Sequence, residues 1–563
     1  MTDFEGYDQA IRLIEHNKSL RMIKLEKLGA WVTGNQYDGR PGWWDDSSGK
    51  PLWERAPCIV YPVCAIAINS NSDLMMGDAR FPEFTFKPGE DSSEDEGGLN
   101  ESDSEVADKT LAEYHKLSRF RAHCRESFES AQGCGTSVSI HGARNGKPFV
   151  DSMPAKWCEV ERDGDGNVTK LTVQYPYLET YRLRNKWACR AMLYRRIIDE
   201  QNDTTYLPAE CTEAGPDGVS WSVDFKNTRA HGLGFCPVIW YAHMRGSAAF
   251  NVVDGNAIQA QYLDEIQAHD IALSQKHRGA LYSEPQICEI GVTKGSSPTA
   301  TGRKPLVAAS VSGGELNAAN PPKGNYHDSS GGNVQEARKK GPGWVWQYDS
   351  PETKVQVLCY PPEALKAQDD NARDLRMKLM ESLCVVLMDP EAIPRLTTIS
   401  GKALQVIKQR QVDRCDTYRN DFESGFLEPS IAMQLRIIRK LAASMRVSGI
   451  AKFAAILAKF DTAAGWIAPA FQVKWGEYFS PDPTEQAQIV TMVQAAYVAG
   501  LITMQLAVEK IKDIFDIENV SEIVTQLEKA KADAKAEMAA TMANKPSADN
   551  ADSAKESPPE PNA

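Results

Sequence analysis

The chain reads as a mixed α+β protein rich in helix, and three observations predict this. Two long stretches, 361–386 and 399–441, carry apolar residues at helical period on either side of a proline-broken segment. Shorter runs at Thr136–Ile140, Val168–Tyr175 and Cys189–Ile198 have strand patterning. Turn signals such as Asn145-Gly146 and Asp163-Gly164-Asp165-Gly166 punctuate those runs. At 563 residues the chain has length for about three or four domains of ~150 residues each. Apolar residues make up 42% and charged residues 25%, ordinary values for a globular protein with a full core. The net charge of −13 argues against a protein that grips nucleic acid through many phosphate contacts, but leaves a passive conduit open.

Taken in order, Met1-Thr2-Asp3-Phe4-Glu5 is acidic and lacks the apolar stretch of a signal peptide, so synthesis in a cytoplasm is expected. Residues 7–33 carry Ile11, Ile14, Ile23, Leu25 and Leu28 among charges and predict one amphipathic helix closed by Gly29 or Gly34. Trp31, Tyr37, Trp43, Trp44 and Trp53 follow, an aromatic stretch that suits packing under a loop or, with a basic groove, base stacking. The most apolar run, Cys58–Ile68, is too short for the ~20 residues that a membrane helix needs. Residues 89–108 hold nine acidic and no basic side chains and predict a solvated loop, with a helix over 109–132 after it.

Asp254–Ala280 predicts a helix with a stripe of Ile258, Tyr262, Ile266 and Leu273. Its end carries Lys276, His277 and Arg278 before Gly279, which suits the helix dipole and a glycine cap. Strands are expected at Gln286–Ile290 and Lys354–Tyr360, flanking a Gly/Ser/Asn-rich middle. Trp344 and Trp346 lie near its end, as a partner anchor or a buried strand. A helix starts after Pro361-Pro362, with Leu365, Ala372, Leu375, Leu379, Leu383 and Val386 on one side and Lys366, Asp369, Asp370, Arg373 and Arg376 on the other. Pro390 and Pro394 make 387–398 a loop. Ser400 caps a second long helix with a stripe of Leu404, Ile407, Cys415, Tyr418, Phe422, Phe426, Ile431 and Leu435; Pro429 within it predicts a kink with Gly425. A helix at Ile450–Phe460, a strand at Phe471–Trp475 and helices over 484–533, broken at Gly500 and near Asn519, complete the pattern before a disordered tail from 535.

The sequence lacks the motifs of several chemistries. Asp163–Asn167 lacks the Gly and Glu that a calcium loop needs at 168 and 174. Gly401-Lys402 has Leu396 and Ala403 where a phosphate loop needs Gly and Ser or Thr. The twelve cysteines form no Cys-x-x-Cys pair, the histidines no His-Glu-x-x-His, and Gly135–Ser139 lacks the last Gly of a nucleophile elbow. No catalytic constellation, metal site or cofactor site is read, so a non-enzyme is expected.

The order of the parts resembles the portal proteins of tailed double-stranded-DNA bacteriophages. The residues that carry the resemblance are Ile399-Ser400-Gly401-Lys402-Ala403-Leu404 opening the long kinked helix, His231–Ile239 before the helix from Asp254, and Gly476–Val520 with Pro481–Glu485 and Ala499–Thr503. The resemblance covers roughly residues 5–530, and the insert at 281–360 is long for a portal clip. It implies a ring-forming subunit with wing (1–253), stem helices (254–280 and 361–386), clip (281–360), tunnel loop (387–398), kinked helix and wing return (399–475), crown (476–534) and tail (535–563). It further implies a tunnel loop whose Met388, Asp389, Glu391, Arg395, Thr397 and Thr398 face DNA, and stem contacts from Lys276, Arg278, Lys366, Arg373 and Arg376. Trp344 and Trp346 would meet a clip partner. The implied partners are further copies of the chain in a dodecamer, terminase, a head-tail adaptor, capsid or scaffolding protein and the DNA that is packaged and ejected, at a capsid vertex of the virion with no membrane. A head-tail adaptor or a DNA-processing enzyme are the alternatives; an adaptor would be shorter and lack the paired long helices.

Overall fold

A computed structural model describes residues 6–77, 80–86, 99–183, 186–245, 253–281, 286–290, 354–358, 362–386, 401–462, 465–479, 483–512, 514–515, 517 and 520–543. They form a mixed α and β structure with several separate sheets. The described parts of Met1–Thr33, Val63–Gln261 and Met380–Ala563 gather into one compact unit, and those of Gly34–Pro62 and Tyr262–Leu379 into another.

The first unit opens with α1 (Tyr7–His16) and α2 (Leu20–Thr33), not the single helix that the periodicity predicts. The break has a local cause. Buried Asn17 turns its amide onto Leu13 O at 2.7 Å and Thr212 O at 3.1 Å, and Ser19 Oγ accepts from Met22 N at 3.1 Å, restarting the helix. The apolar run near Cys58–Ile68 becomes the core helix α3 (Val63–Met76). Strand β1 (Glu83–Phe86) follows.

The acidic stretch is a correction. Helix α4 (Glu101–Ser118) begins inside the expected loop. Carboxylates suit the positive end of a helix, and this one hides Ala107, Leu111 and Tyr114 while Asp108 Oδ1 accepts from Phe86 N at 3.1 Å. Arg119, at φ 54°, separates α4 from α5 (Phe120–Cys134), again two helices where one is predicted.

His115 sits at this junction, stacked on Phe120 with its Nε2 2.8 Å from Gln434 Oε1. Burial pushes its pKa down to about 4, against a partial lift from Gln434. The folded state therefore resists a proton that the unfolded chain accepts near the ordinary histidine value. Stability is expected to fall as pH drops below that value, by roughly 2 kcal/mol at pH 5 from this group. Urea unfolding at pH 7 and pH 5 reads this, and the His115→Gln variant is expected to lose that part of the difference.

Nine strands build most of the rest of this half. They are β2 (Thr136–Arg144), β3 (Lys147–Met153), β4 (Cys158–Arg162), β5 (Val168–Leu183), β6 (Lys186–Ile198), β7 (Asn202–Thr205), β8 (Ala209–Glu210), β9 (Arg229–Ala230) and β10 (Val238–Ala242). The antiparallel order β10-β2-β3 makes one sheet and β4-β5-β6-β7-β9 the other, with β8 on β6. Asn145 and Gly146 close the β2–β3 hairpin at φ 56° and 77°, the left-handed pair that a two-residue turn requires. Strand β5 runs eight residues past its predicted end at Tyr175, because Pro176 falls beyond Val173, where pairing with β4 has stopped and a proline is tolerated. Asp163, in the β4–β5 turn, receives Asp165 N, Asn167 N and Asn167 Nδ2 at 2.7–3.0 Å, so its carboxylate serves its own loop.

Residues 254–262, expected to open a helix, do not. Asp254 is buried and ion-paired to Arg21 at 2.6 Å. In the second unit α6 (Leu263–Leu281) therefore starts nine residues later than predicted. Gly279 lies within it rather than capping it, where an added Cβ would come 2.7 Å from Gln368 Oε1. Strands β11 (Gln286–Ile290) and β12 (Lys354–Leu358) pair antiparallel, and α7 (Pro362–Ser382) follows the two prolines. Ala372, Leu379 and Leu383 are buried and Lys366, Asp369, Asp370, Arg373 and Arg376 exposed, as the stripe predicts. The helix stops short of 386: Cys384 is left-handed at φ 55°, and Val385 N reaches back to Met380 O at 2.9 Å in a Schellman closure.

The long helix returns to the first unit as α8 (Gly401–Phe422), a π turn at Glu423–Leu427 and α9 (Glu428–Leu441). Cys415, Tyr418, Phe422, Phe426, Ile431 and Leu435 are all buried, whereas Ile407, placed by the sequence in the same stripe, is 46% exposed. α10 (Ile450–Leu457) and β13 (Asp461–Thr462) with β14 (Gly465–Trp466) follow, and β15 (Phe471–Lys474) pairs with β1. Helices α11 (Pro483–Val498) and α12 (Met504–Ile511) are separated by a left-handed Gly500 at φ 71°. α13 (Val520–Ala543) continues nine residues into the predicted tail, because its Ala, Lys and Glu content is also the composition of a strong helix former. Residues 544–563 lie outside the described residues. Among the described residues no helix is long and apolar enough to cross a membrane.

Candidate functional site

The five basic residues implicated as channel contacts lie on α6 and α7. These helices meet tail to head, since Lys276 pairs with Asp369 and Gly279 faces Leu365 and Gln368. Lys276 holds the Asp369 carboxyl below its usual range. Arg278 lies over the Trp44 ring at 5.8 Å, and Arg376 over Tyr61 at 5.2 Å. Lys366 and Arg373 are exposed among Asp369, Asp370 and Asp374. The face is thus mixed in sign rather than a basic stripe. Such a surface attracts a polyanion weakly and gives little of the salt-sensitive grip that clustered lysines or arginines produce.

What positions α6 is polar, and the periodicity did not reveal it. Asp270 is fully buried and accepts from Tyr37 Oη and from Tyr61 N, both at 3.0 Å. One helical turn on, Ser274 Oγ accepts from Ile59 N at 3.1 Å, and the His269 ring stands edge-on to Tyr61. Burial, then the Asp270 carboxylate, drives the Tyr37 hydroxyl far above its ordinary pKa, so it remains a donor. These contacts explain part of the aromatic stretch. Tyr37 and Trp43 are buried in it, with the Trp43 carbonyl taking Arg55 Nη1 at 3.2 Å, while Trp44 and Trp53 keep 42% and 64% of their surface exposed. A rule that seeks apolar residues at helical spacing cannot find Asp270 or Ser274, because their partners lie in a loop more than 200 residues away. The tyrosines among glycines at 37–61 were the available signal.

The stretch with the predicted kink, Gly425 and Pro429, holds the π turn. Glu428 N reaches Glu423 O, a bond one residue longer than in an α-helix, and the extra residue makes room for the proline that follows. Gly425 backs onto Tyr241, whose ring carbons would lie 2.9–3.0 Å from an added Cβ. The Tyr241 hydroxyl donates to Asp421 Oδ2 at 2.7 Å and lies 3.0 Å from His243 Nδ1; Met244 N also donates to Asp421 Oδ2, at 2.9 Å. Burial works to raise the Asp421 carboxyl, yet His243 and these donors outweigh it and hold it below the usual range. Burial keeps His243 below its own usual range, hence neutral. The network ties the irregular part of the long helix to β10.

Met388, Asp389, Glu391, Arg395, Thr397 and Thr398, and likewise Trp344 and Trp346, lie outside the described residues. Among the described residues no group of three or more His, Cys, Asp or Glu side chains could hold a metal ion. No protein-family model and no curated protein matches the chain.

Proposed function

We propose that this chain is the subunit of a phage portal: a ring at one capsid vertex of the virion through which DNA is packaged and ejected. The observation that carries the reading is the succession of parts around α6 and α7. A helix leads into a two-stranded hairpin that closes a long insert, a second helix packs tail to head on the first, and a long helix with a π turn follows. This is the succession stem, clip, stem and kinked helix of the portal family. The mixed charge on α7 supports it too, because DNA must slide past a channel wall and not be held by it. On this reading the chain works as a closed ring of about twelve copies related by rotation. Terminase, a head-tail adaptor and the capsid or its scaffold bind around it, and the energy for DNA movement comes from the motor.

Negative-stain images of the purified chain test the proposal. Rings with a central hole are expected, and light scattering should give a mass many times the 62.2 kDa of one chain. A monomer at every salt concentration overturns it.

A further inference from the structure

A cavity of about 650 Å³ opens in the first unit between the β4–β5 turn, β10 and the π turn of the long helix. Phe235, Trp240 and Met433 form apolar wall, and Arg162, Arg245 and Arg436 also line it. The acidic residues at the same wall are Asp163, Glu200 and Asp421. Two of these are already committed. Asp163 takes three donors from its own turn, and Asp421 takes the Tyr241 hydroxyl and the Met244 amide. Glu200 is exposed. The three arginines are exposed as well, but differ in having no carboxylate of their own among the described residues. Arg162 gives one N–H to Gly166 O at 2.7 Å, and Arg436 lies over the rings of Phe235 and Trp466 at 5.9 and 6.0 Å. None of the three pairs with a carboxylate among the described residues.

We propose that this cavity binds a phosphate-bearing organic anion of about nucleotide size, its phosphate held by Arg162 and Arg245 and its body against Phe235, Trp240 and Met433. The site is independent of the portal reading. Guanidinium groups offer paired N–H donors that match a phosphate bidentately, which an ammonium cannot do. The volume falls in the range of small-molecule sites and exceeds what inorganic phosphate would fill. Burial and the neighbouring Arg245 both depress the Arg162 pKa, so the two like charges lie within electrostatic reach of each other. A bound dianion would relieve that repulsion.

Isothermal titration of the full chain with AMP, pyrophosphate and inorganic phosphate tests it, with Arg162→Gln, Arg245→Gln and, as a control on β6 outside the cavity lining, Arg190→Gln. Circular dichroism verifies that each variant is folded. AMP is expected to bind more tightly than inorganic phosphate, to weaken about tenfold or more in each of the first two variants, and to be unchanged in the control. No AMP binding at concentrations on the order of millimolar overturns the site. So does binding that ignores Arg162→Gln and Arg245→Gln, or that falls equally in Arg190→Gln. Equal affinity for AMP and inorganic phosphate overturns the organic part of the assignment.

Discussion

Gly255→Ala is expected to prevent the first unit from folding, at a cost above about 4 kcal/mol. A Cβ at this position would sit well inside contact distance of the His243 backbone and of Gly135 O, all main-chain atoms that cannot turn aside. The three segments of chain are also hydrogen-bonded across the crossing. Gly255 N and His243 N both donate to Gly135 O, at 3.1 and 2.9 Å, and Asn256 N donates to His243 O at 2.8 Å. Moving one segment to admit a methyl group would strand buried polar groups of the others. Gly135 is further restricted by its left-handed φ of 86°. Gly164→Ala is the comparison, since nothing lies within 4 Å of a Cβ there. Thermal melts followed by circular dichroism should show a near-native Gly164→Ala protein and an unfolded or insoluble Gly255→Ala protein. A cooperative melt for Gly255→Ala within a few degrees of the parent would refute the crossing.

Asp254→Ala is expected to cost roughly 3–5 kcal/mol, the range for breaking a buried ion pair from one side. Arg21 gives Nε and Nη2 to this carboxylate at 2.8 and 2.6 Å, and Nη1 to Ala155 O and Cys158 O. Its guanidinium also lies 5.0 Å from the Trp240 ring centre, and Thr136 Oγ1 donates to Asp254 Oδ1 at 2.9 Å. Removing the carboxylate leaves a cation that is 20% exposed and cannot reach water fully. The double variant Arg21→Met with Asp254→Leu should recover much of the loss, because no orphaned charge remains. Lys276→Ala removes a pair of similar geometry between exposed side chains and should leave the unfolding midpoint in urea almost unchanged. Equal losses in Asp254→Ala and Lys276→Ala would show that burial is not what makes the first pair matter.

Much of the architecture was legible because it rests on local geometry. The stripe on α7 is buried where apolar residues recur at three and four and wet where charges stand. The same rule follows the long helix from Cys415 to Leu435 through the π turn, and fails at Ile407, which no described part of the fold covers. Asn145-Gly146 closes its hairpin since few other pairs adopt two successive left-handed conformations. Composition misled at both ends of its range. The acids at 101–108 decorate a helix whose other face is core, and 535–543 is helix rather than tail.

The candidate site was less legible than the helices that carry it. Lys276, Arg278 and Arg376 stand out in sequence as basic residues at helix positions, but their engagement by Asp369, Trp44 and Tyr61 depends on which elements pack together. Gly279 was read as a cap from its neighbours on the chain, and its place is set by α7 lying against it.

By itself the sequence determined the periods, the turns and the order of helix and strand, because those follow from hydrophobic spacing and backbone preference within a few residues. Only the tertiary structure decided which polar groups are buried. Asp254 meets Arg21 and Asp270 meets Tyr37 each across 233 residues, and the Gly135–Gly255 crossing joins segments 120 residues apart. A buried carboxylate is tolerated only where a donor arrives to meet it, and that arrival is a property of the folded chain, not of the spacing around the acid.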